Sequence, residues 1–540
     1  MLIKLKNNLR AINMLSKRRF LLLLLLWAFL TALNIGKAYH IDDTFHLKAA
    51  SWILDHPGTP MSGMINWKDD STPMYSHNQP PLFFYLLAFV ISITGTGEIP
   101  LHLFLSIFTF LTLLLFNRLT EVLNLKNTTL LLLLFAFSPA LVVNQNLMTD
   151  IPVLVVILAS ALFLLKARQK DKFTSYIITA FLLSIGLLIK YSILPLLIVL
   201  LLVILIRRDY KYLFTLFIPI GILVLWSVWN YAEYGSIHFL DRPRGEIHIN
   251  RLWSFMACTG AVAFFSASIL SGSFTKPWVR KGIIIVLILF LLQIVLFANR
   301  LIPEKTNTNL LNILFIINGI LVYFLLVRQF IKNSKGTGFH SYLMSDSFIV
   351  LLFVASMAAF MVLFAPFMAT RHILLVIPFV LLFSDGLFTR SGNTVNRISL
   401  GLSIVFGVTL GISDYTYANY YRKMANEIKT HSGQTVWTVG HWGWQWYAEK
   451  NGMKEYATNS SVVKDGDLMV YPGNISRQEF APDLQLTVLE KKYDEAGFLT
   501  FFSGNNFASL YSSSMKIPPW TLSLQPIDTI YICRVHNLNN

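Results

Sequence analysis

The chain is predicted to be a polytopic α-helical membrane protein carrying a small α/β domain at its C-terminal end. Three observations carry that prediction. Hydrophobic residues make up 55% of the 540 and charged residues only 13%, where soluble proteins average about 25% charged. Apolar runs long enough to be read as membrane helices recur from residue 20 to residue 412. After about residue 414 the pattern changes to short alternating segments and turn residues.

The first apolar run, 20–36, follows Lys4, Lys6, Arg10, Lys17, Arg18 and Arg19. It lacks a small-residue cleavage site and reads as an uncleaved helix. Further runs lie at 99–116, 128–143, 151–165, 174–189, 192–206, 213–231, 252–272, 282–298, 309–327, 347–365, 372–388 and 398–412, about thirteen spans in all. One apolar segment, 80–93, is left over, and its status decides the topology. If it crosses, Arg118 and Lys126, the cluster 166–172 and the later basic clusters fall outside, opposite the basic N-terminus. If it lies along the surface, every strong basic cluster falls on one side, as cytoplasmic loops require. Its Pro80-Pro81 start and its aromatic residues Phe83, Phe84 and Tyr85 suit an interfacial helix. The expected topology therefore puts the N-terminus in the cytoplasm. The loops 37–98, 144–150, 190–191, 232–251, 299–308 and 371–372 gather on the opposite face, with everything after 413.

The formal net charge of +16 does not indicate nucleic acid, because the basic residues sit between apolar runs. Two cysteines, Cys258 and Cys533, make no disulfide framework. The tail, 414–540, reads as an extracytoplasmic α/β domain: a helix at 420–431, strands at 435–439, 467–471 and 528–535, and a tryptophan-rich helix at 442–450.

The expected external face collects acids and bases from distant segments. Asp42 and Asp43 directly follow the first span, Asp150 precedes Ile151-Pro152, and Lys190 stands alone in an apolar stretch with Tyr191 beside it. His77 and Gln79 open the interfacial helix, His238, Arg242 and Arg244 lie in the loop 232–251, and Arg371 and His372 start a late span. Carboxylates can take an acceptor proton, and basic groups can stabilise a departing phosphate. Each residue also has a plainer reading. The aspartates are good helix caps, Lys190 could snorkel, and Arg371 and His372 could anchor a span. Trp442, Trp444 and Trp446 read as domain core. No cluster has zinc-site spacing, and no glycine-rich phosphate loop appears.

The series Asp42-Asp43, His77-Asn-Gln-Pro-Pro-Leu-Phe-Phe-Tyr85, Met148-Thr-Asp-Ile-Pro152, Lys190-Tyr191 and Arg371-His-Ile-Leu-Leu-Val-Ile-Pro378 resembles the GT-C superfamily of polyprenyl-phosphate-sugar glycosyltransferases. Its likeness is closest to the aminoarabinose transferase and protein O-mannosyltransferase group. The resemblance implies an inner-membrane glycosyltransferase using a polyprenyl-phosphate-linked sugar and a lipid, glycan or protein acceptor. It implies Asp42 as the base, Asp43 and Asp150 as supporting acids, and Lys190 and Arg371 near the carrier phosphate. In some members the second acid helps hold a divalent cation, which makes Asp42 and Asp150 candidate metal ligands. His372, Arg242 and Arg244 are further candidates for the phosphate, and His77, Gln79, Tyr191 and His238 for the sugar or acceptor pocket. The chain departs from the group in having Asp-Asp where Asp-Glu is common. It also has Asn78-Gln79 where the aminoarabinose transferase has an acidic-basic pair. Two other readings compete: a lipid-saccharide flippase or transporter, and an oligosaccharide ligase.

Overall fold

The computed structural model describes residues 17–77, 79–167, 171–241, 248–428, 435–504, 510–513 and 517–537. Each apolar run read from the sequence coincides with a helix or a broken helix. Among the described residues, six helices are long and apolar enough to cross a membrane, or up to eight if each bent pair counts as one span. The count of thirteen is therefore not reached. Several expected spans are too short to cover a hydrocarbon layer of about 30 Å: Lys172–Leu187 has 16 residues, Asp150–Lys166 has 17, and Thr128–Ala136 has 9. Two others break in the middle. Ile249–Val262 meets Ser266–Ser273 at 93°, and Thr370–Phe383 meets Asp385–Ser391 at 61°. The leftover segment forms the helix Leu82–Thr94. Its 13 residues span about 20 Å, less than a crossing needs.

Close helix approach depends on missing side chains. Ile249–Val262 crosses Glu304–Thr337 at two glycines. A Cβ on Gly260 would stand 1.8 Å from the Phe315 carbonyl oxygen, and one on Gly319 would stand 2.0 Å from that of Met256. Small residues at such crossings let backbones touch where lipid supplies no hydrophobic drive.

The first loop is not irregular. It holds the helix Asp43–Asp55, an antiparallel hairpin of Met64–Asn66 with Ser71–Pro73, and then the Leu82–Thr94 helix. The C-terminal sheet runs in the order Lys454–Glu455, Val436–Thr438, Leu468–Pro472, Ile530–Asn537, Leu484–Lys492. The first three strands are parallel neighbours and the last two pair antiparallel. The strands at 435–439, 467–471 and 528–535 and the helix Trp442–Lys450 lie where the sequence put them. The helix expected at 420–431 is instead the end of one 35-residue helix, Asn393–Glu427, which runs straight through position 413. Nothing interrupts it, because no proline or glycine falls between Ser413 and Glu427.

The sheet and the first loop are joined. Asp69 Oδ1 accepts the Glu479 amide at 2.8 Å, and Asp70 Oδ1 accepts that of Asn459 at 3.1 Å. Thr44 Oγ1 donates to the Trp442 carbonyl at 2.7 Å, and the Tyr447 hydroxyl accepts the Tyr39 amide at 2.9 Å. A Cβ on Gly443 would stand 2.2 Å from the Tyr39 carbonyl oxygen. Trp444 is fully buried, and all three tryptophans of its helix pack in the main core. That core runs from Leu23 to Ile530 and takes in Val436, Val470 and Ile530 of the sheet, while Val439, Tyr456, Val463, Met469 and Val535 form a separate small core.

Candidate active site

The site begins with the backbone before Asp42. Ile41 has φ 51°, a left-handed conformation that costs a β-branched residue about 1–3 kcal/mol. The kink turns consecutive acids to different surroundings. Asp42 lines a cavity of ≈ 950 Å³, and its Oδ2 pairs with Arg371 Nη2 at 2.7 Å. Asp43 is fully buried outside that cavity. Its Oδ2 accepts the His40 amide at 3.0 Å. Burial, with Asp42 adding to it, raises the Asp43 carboxyl to about 8 against the pull of Lys37 and the His40 amide. Burial thus favours its neutral form.

The cap reading fails for the acids in the cavity. Asp42 precedes the Asp43–Asp55 helix but makes no side-chain cap bond. Asp150 opens Asp150–Lys166 and instead accepts a hydrogen bond from Lys190 Nζ at 2.6 Å. Lys190 sits at the break between Lys172–Leu187 and the turn Tyr191–Ile193. Arg371 lies on the short helix Thr370–Leu374. Four breaks in helical continuity therefore deliver two acids and two bases to one cavity. The Asp150 and Lys190 side chains are only 3% and 12% exposed, and buried ion pairs seldom add net stability. Such a site suits binding better than folding.

Of the other expected site residues, His77, Gln79, Tyr191 and His372 line the same cavity. His238 does not; its Nδ1 hydrogen-bonds the Tyr191 hydroxyl at 2.9 Å, so it supports a cavity residue. Arg242 and Arg244 lie outside the described residues. Among the cavity residues not picked out from the sequence are His46, Trp67 and Lys68. His46 could have been found, since it stands four residues after Asp42 on the same helix. Its Nδ1 lies 2.6 Å from the Leu147 carbonyl oxygen, and burial lowers its pKa to about 4, so it is a neutral imidazole donating to that carbonyl. Trp67 and Lys68 follow the first strand of the hairpin, and nothing in their local pattern marks them.

A second buried network stands behind the cavity. Lys37 Nζ meets Asp414 Oδ2 at 2.5 Å, with both side chains at most 2% exposed. The Tyr511 hydroxyl donates to Asp414 at 3.0 Å and accepts from Asn146 Nδ2 at 2.7 Å. One residue away, the Leu510 carbonyl accepts the Thr370 amide at 3.1 Å and the Thr370 hydroxyl at 2.8 Å. The C-terminal segment thus holds the turn that presents Arg371.

The donor set does not fit a resident divalent cation. Asp42 and Asp150 each already face a basic group. Among the described residues no group of three or more His, Cys, Asp or Glu could hold a metal. The chemistry below uses no metal.

Residues 78–229 match the family model described as dolichyl-phosphate-mannose-protein mannosyltransferase. No curated protein matches. Among solved structures, the chain is similar to ArnT from Cupriavidus metallidurans bound to undecaprenyl phosphate. The identity there is 13% and the TM-score 0.39, over 87% of this chain and 95% of that one. It is also similar to the oligosaccharyltransferase AglB from Archaeoglobus fulgidus in complex with an inhibitory peptide and a dolichol-phosphate, with 9% identity and TM-score 0.46 over 82% and 65%. A third is the mycobacterial arabinofuranosyltransferase AftD, with 12% identity and TM-score 0.39 over 96% and 41%.

Proposed function

We propose that this chain is a membrane glycosyltransferase that moves a sugar from a polyprenyl-phosphate carrier to an acceptor at the cavity-bearing face. The observation that carries the reading is the two-part lining of one cavity. At one end stand Asp42, Asp150, Lys190 and Arg371; along the other run Ile198 and Leu202 of one helix and Leu352 and Phe360 of another. A lipid phosphate needs both an apolar wall and a charged end. The match to a family of dolichyl-phosphate-mannose enzymes over residues 78–229 supports the same donor class.

The mechanism follows from which groups face the cavity. The lipid lies along the aliphatic wall, and its phosphate draws on Lys190 and Arg371. That draw loosens Arg371 from Asp42. The acceptor O–H or N–H then gives its proton to Asp42 as its heteroatom attacks the anomeric carbon. The bond from that carbon to the phosphate oxygen breaks, and both electrons leave with the lipid phosphate. One displacement inverts the anomeric configuration. Trp67 offers a ring face to a sugar, and Lys190 and Arg371 stabilise charge that grows on the departing phosphate. Asp43, buried outside the cavity, holds the His40–Asp42 turn.

Purified protein in proteoliposomes, supplied with radiolabelled polyprenyl-phosphate sugars and a crude envelope acceptor fraction, tests the reading. Loss of label from the lipid with gain in the acceptor supports it. Label that crosses the bilayer still attached to its lipid would replace it with a flippase.

A further inference from the structure

The C-terminal domain returns to the membrane after its fourth strand. From Lys491 to Glu495 the chain is polar, and then Ala496 to Gly504 carries no charge. Within that uncharged stretch Phe498 is 80% exposed and Leu499 52% exposed, on the short helix Phe498–Phe501. Their neighbours are already inside the bundle. Phe501 stacks near Phe297, 6.0 Å between centroids, and Phe297 is one residue from the end of the spanning helix Pro277–Ala298. Phe502 meets Phe406 edge-on at 5.4 Å. Trp520, just before the strand Thr521–Leu522, lies 5.4 Å from the same ring and donates its indole N–H to the Ala261 carbonyl at 3.0 Å.

Depth follows from helix geometry. Phe406 is the fourteenth residue of Asn393–Glu427, about 20 Å from its first residue at 1.5 Å per residue. A hydrocarbon layer is about 30 Å thick, so a residue about 20 Å along a crossing helix that enters the layer near its first residue lies within it. Phe498 and Leu499 stand one turn earlier, on the rim of the bundle. Water there would face a large aromatic, three residues past the charged Glu495, and a leucine, an arrangement interfacial segments use against lipid.

We infer that Phe498 and Leu499 insert into the lipid leaflet on the cavity side and anchor the C-terminal domain to the bilayer surface. The partner is lipid hydrocarbon. The anchor fixes the domain at the level of the cavity mouth, where its contacts with Asp69 and Asp70 hold the Trp67-Lys68 hairpin.

Both native cysteines are buried, which allows site-specific spin labelling of the full-length protein. Phe498→Cys, Leu499→Cys and Asp465→Cys variants are labelled with a nitroxide, reconstituted in phosphatidylethanolamine–phosphatidylglycerol vesicles, and measured by power saturation. Labels at 498 and 499 are expected to collide more with oxygen than with a water-soluble nickel chelate, and the label at 465 the reverse. Equal nickel accessibility at all three sites would overturn the inference. Low collision with both reagents at 498 and 499 would also overturn it, because a second protein surface would then cover the patch. Two adjacent positions keep the result readable if one variant does not fold.

Discussion

At the scale of single residues, neighbouring acids of the same type sit in different surroundings because Ile41 turns the chain between them. Asp43 is buried and raised to about 8, while an unfolded aspartate titrates near 3.9. Between those values the folded state holds a proton that the unfolded state has lost. Stability from this group is therefore greatest below about pH 4 and is lost as pH rises through 8. Asp43→Asn removes that titration and keeps the shape. Its expected signature is near wild-type transfer at pH 7 and a flatter fall in melting temperature from pH 6 to 9, read by thermal unfolding in detergent. Arg371→Ala leaves Asp42 without its partner and the donor phosphate without a cation. A loss of about 2–5 kcal/mol in transition-state stabilisation is expected, read as kcat/KM for the lipid donor. Lys190→Ala should act in the same direction through Asp150. The four residues that pair across the cavity were legible in the sequence because each is a charge at an interruption of an apolar run. His46, Trp67 and Lys68 were not, since their role depends on a loop whose packing no local pattern specifies.

At the scale of elements, helix breaks deliver the chemistry and glycines set the approach of neighbours. Gly443 lets the Trp442–Lys450 helix lie against the Tyr39 carbonyl, three residues before Asp42. Gly443→Val must push that strand of backbone away. The expected result is a loss of about 1–3 kcal/mol in stability from overpacking together with a lower kcat, since a misplaced base loses its alignment. Unfolding and steady-state rates on the same preparation check both; a fall in stability with kcat unchanged would mean the base does not depend on this contact. The helices were readable as apolar runs. Their breaks at Val262 and Phe383 were not, because periodicity carries no signal for a bend inside a run. In the first loop only the segment 80–93 was readable as a helix; the Asp43–Asp55 helix and the hairpin after it, which hydrogen-bond the C-terminal domain, were not.

At the scale of the whole molecule, one core links the membrane helices to a domain that follows them in sequence, and the segment around Tyr511 braces the Arg371 turn. A chain ended after Glu427 should consequently lose more than an appended domain. Its expected behaviour is aggregation or proteolytic sensitivity of the membrane part, followed by limited trypsinolysis. The topology drawn from basic residues brought distant charges to one face, and the cavity unites the pairs in that way. The account rests on Asp42 as the group that accepts the proton during transfer. Its most direct test is single-turnover transfer from a radiolabelled polyprenyl-phosphate sugar by wild-type protein and by Asp42→Asn, with lipid-donor binding measured on the same samples. The account predicts that the Asn variant binds the donor and transfers at least about 100-fold more slowly. Transfer by Asp42→Asn at the wild-type rate would contradict it.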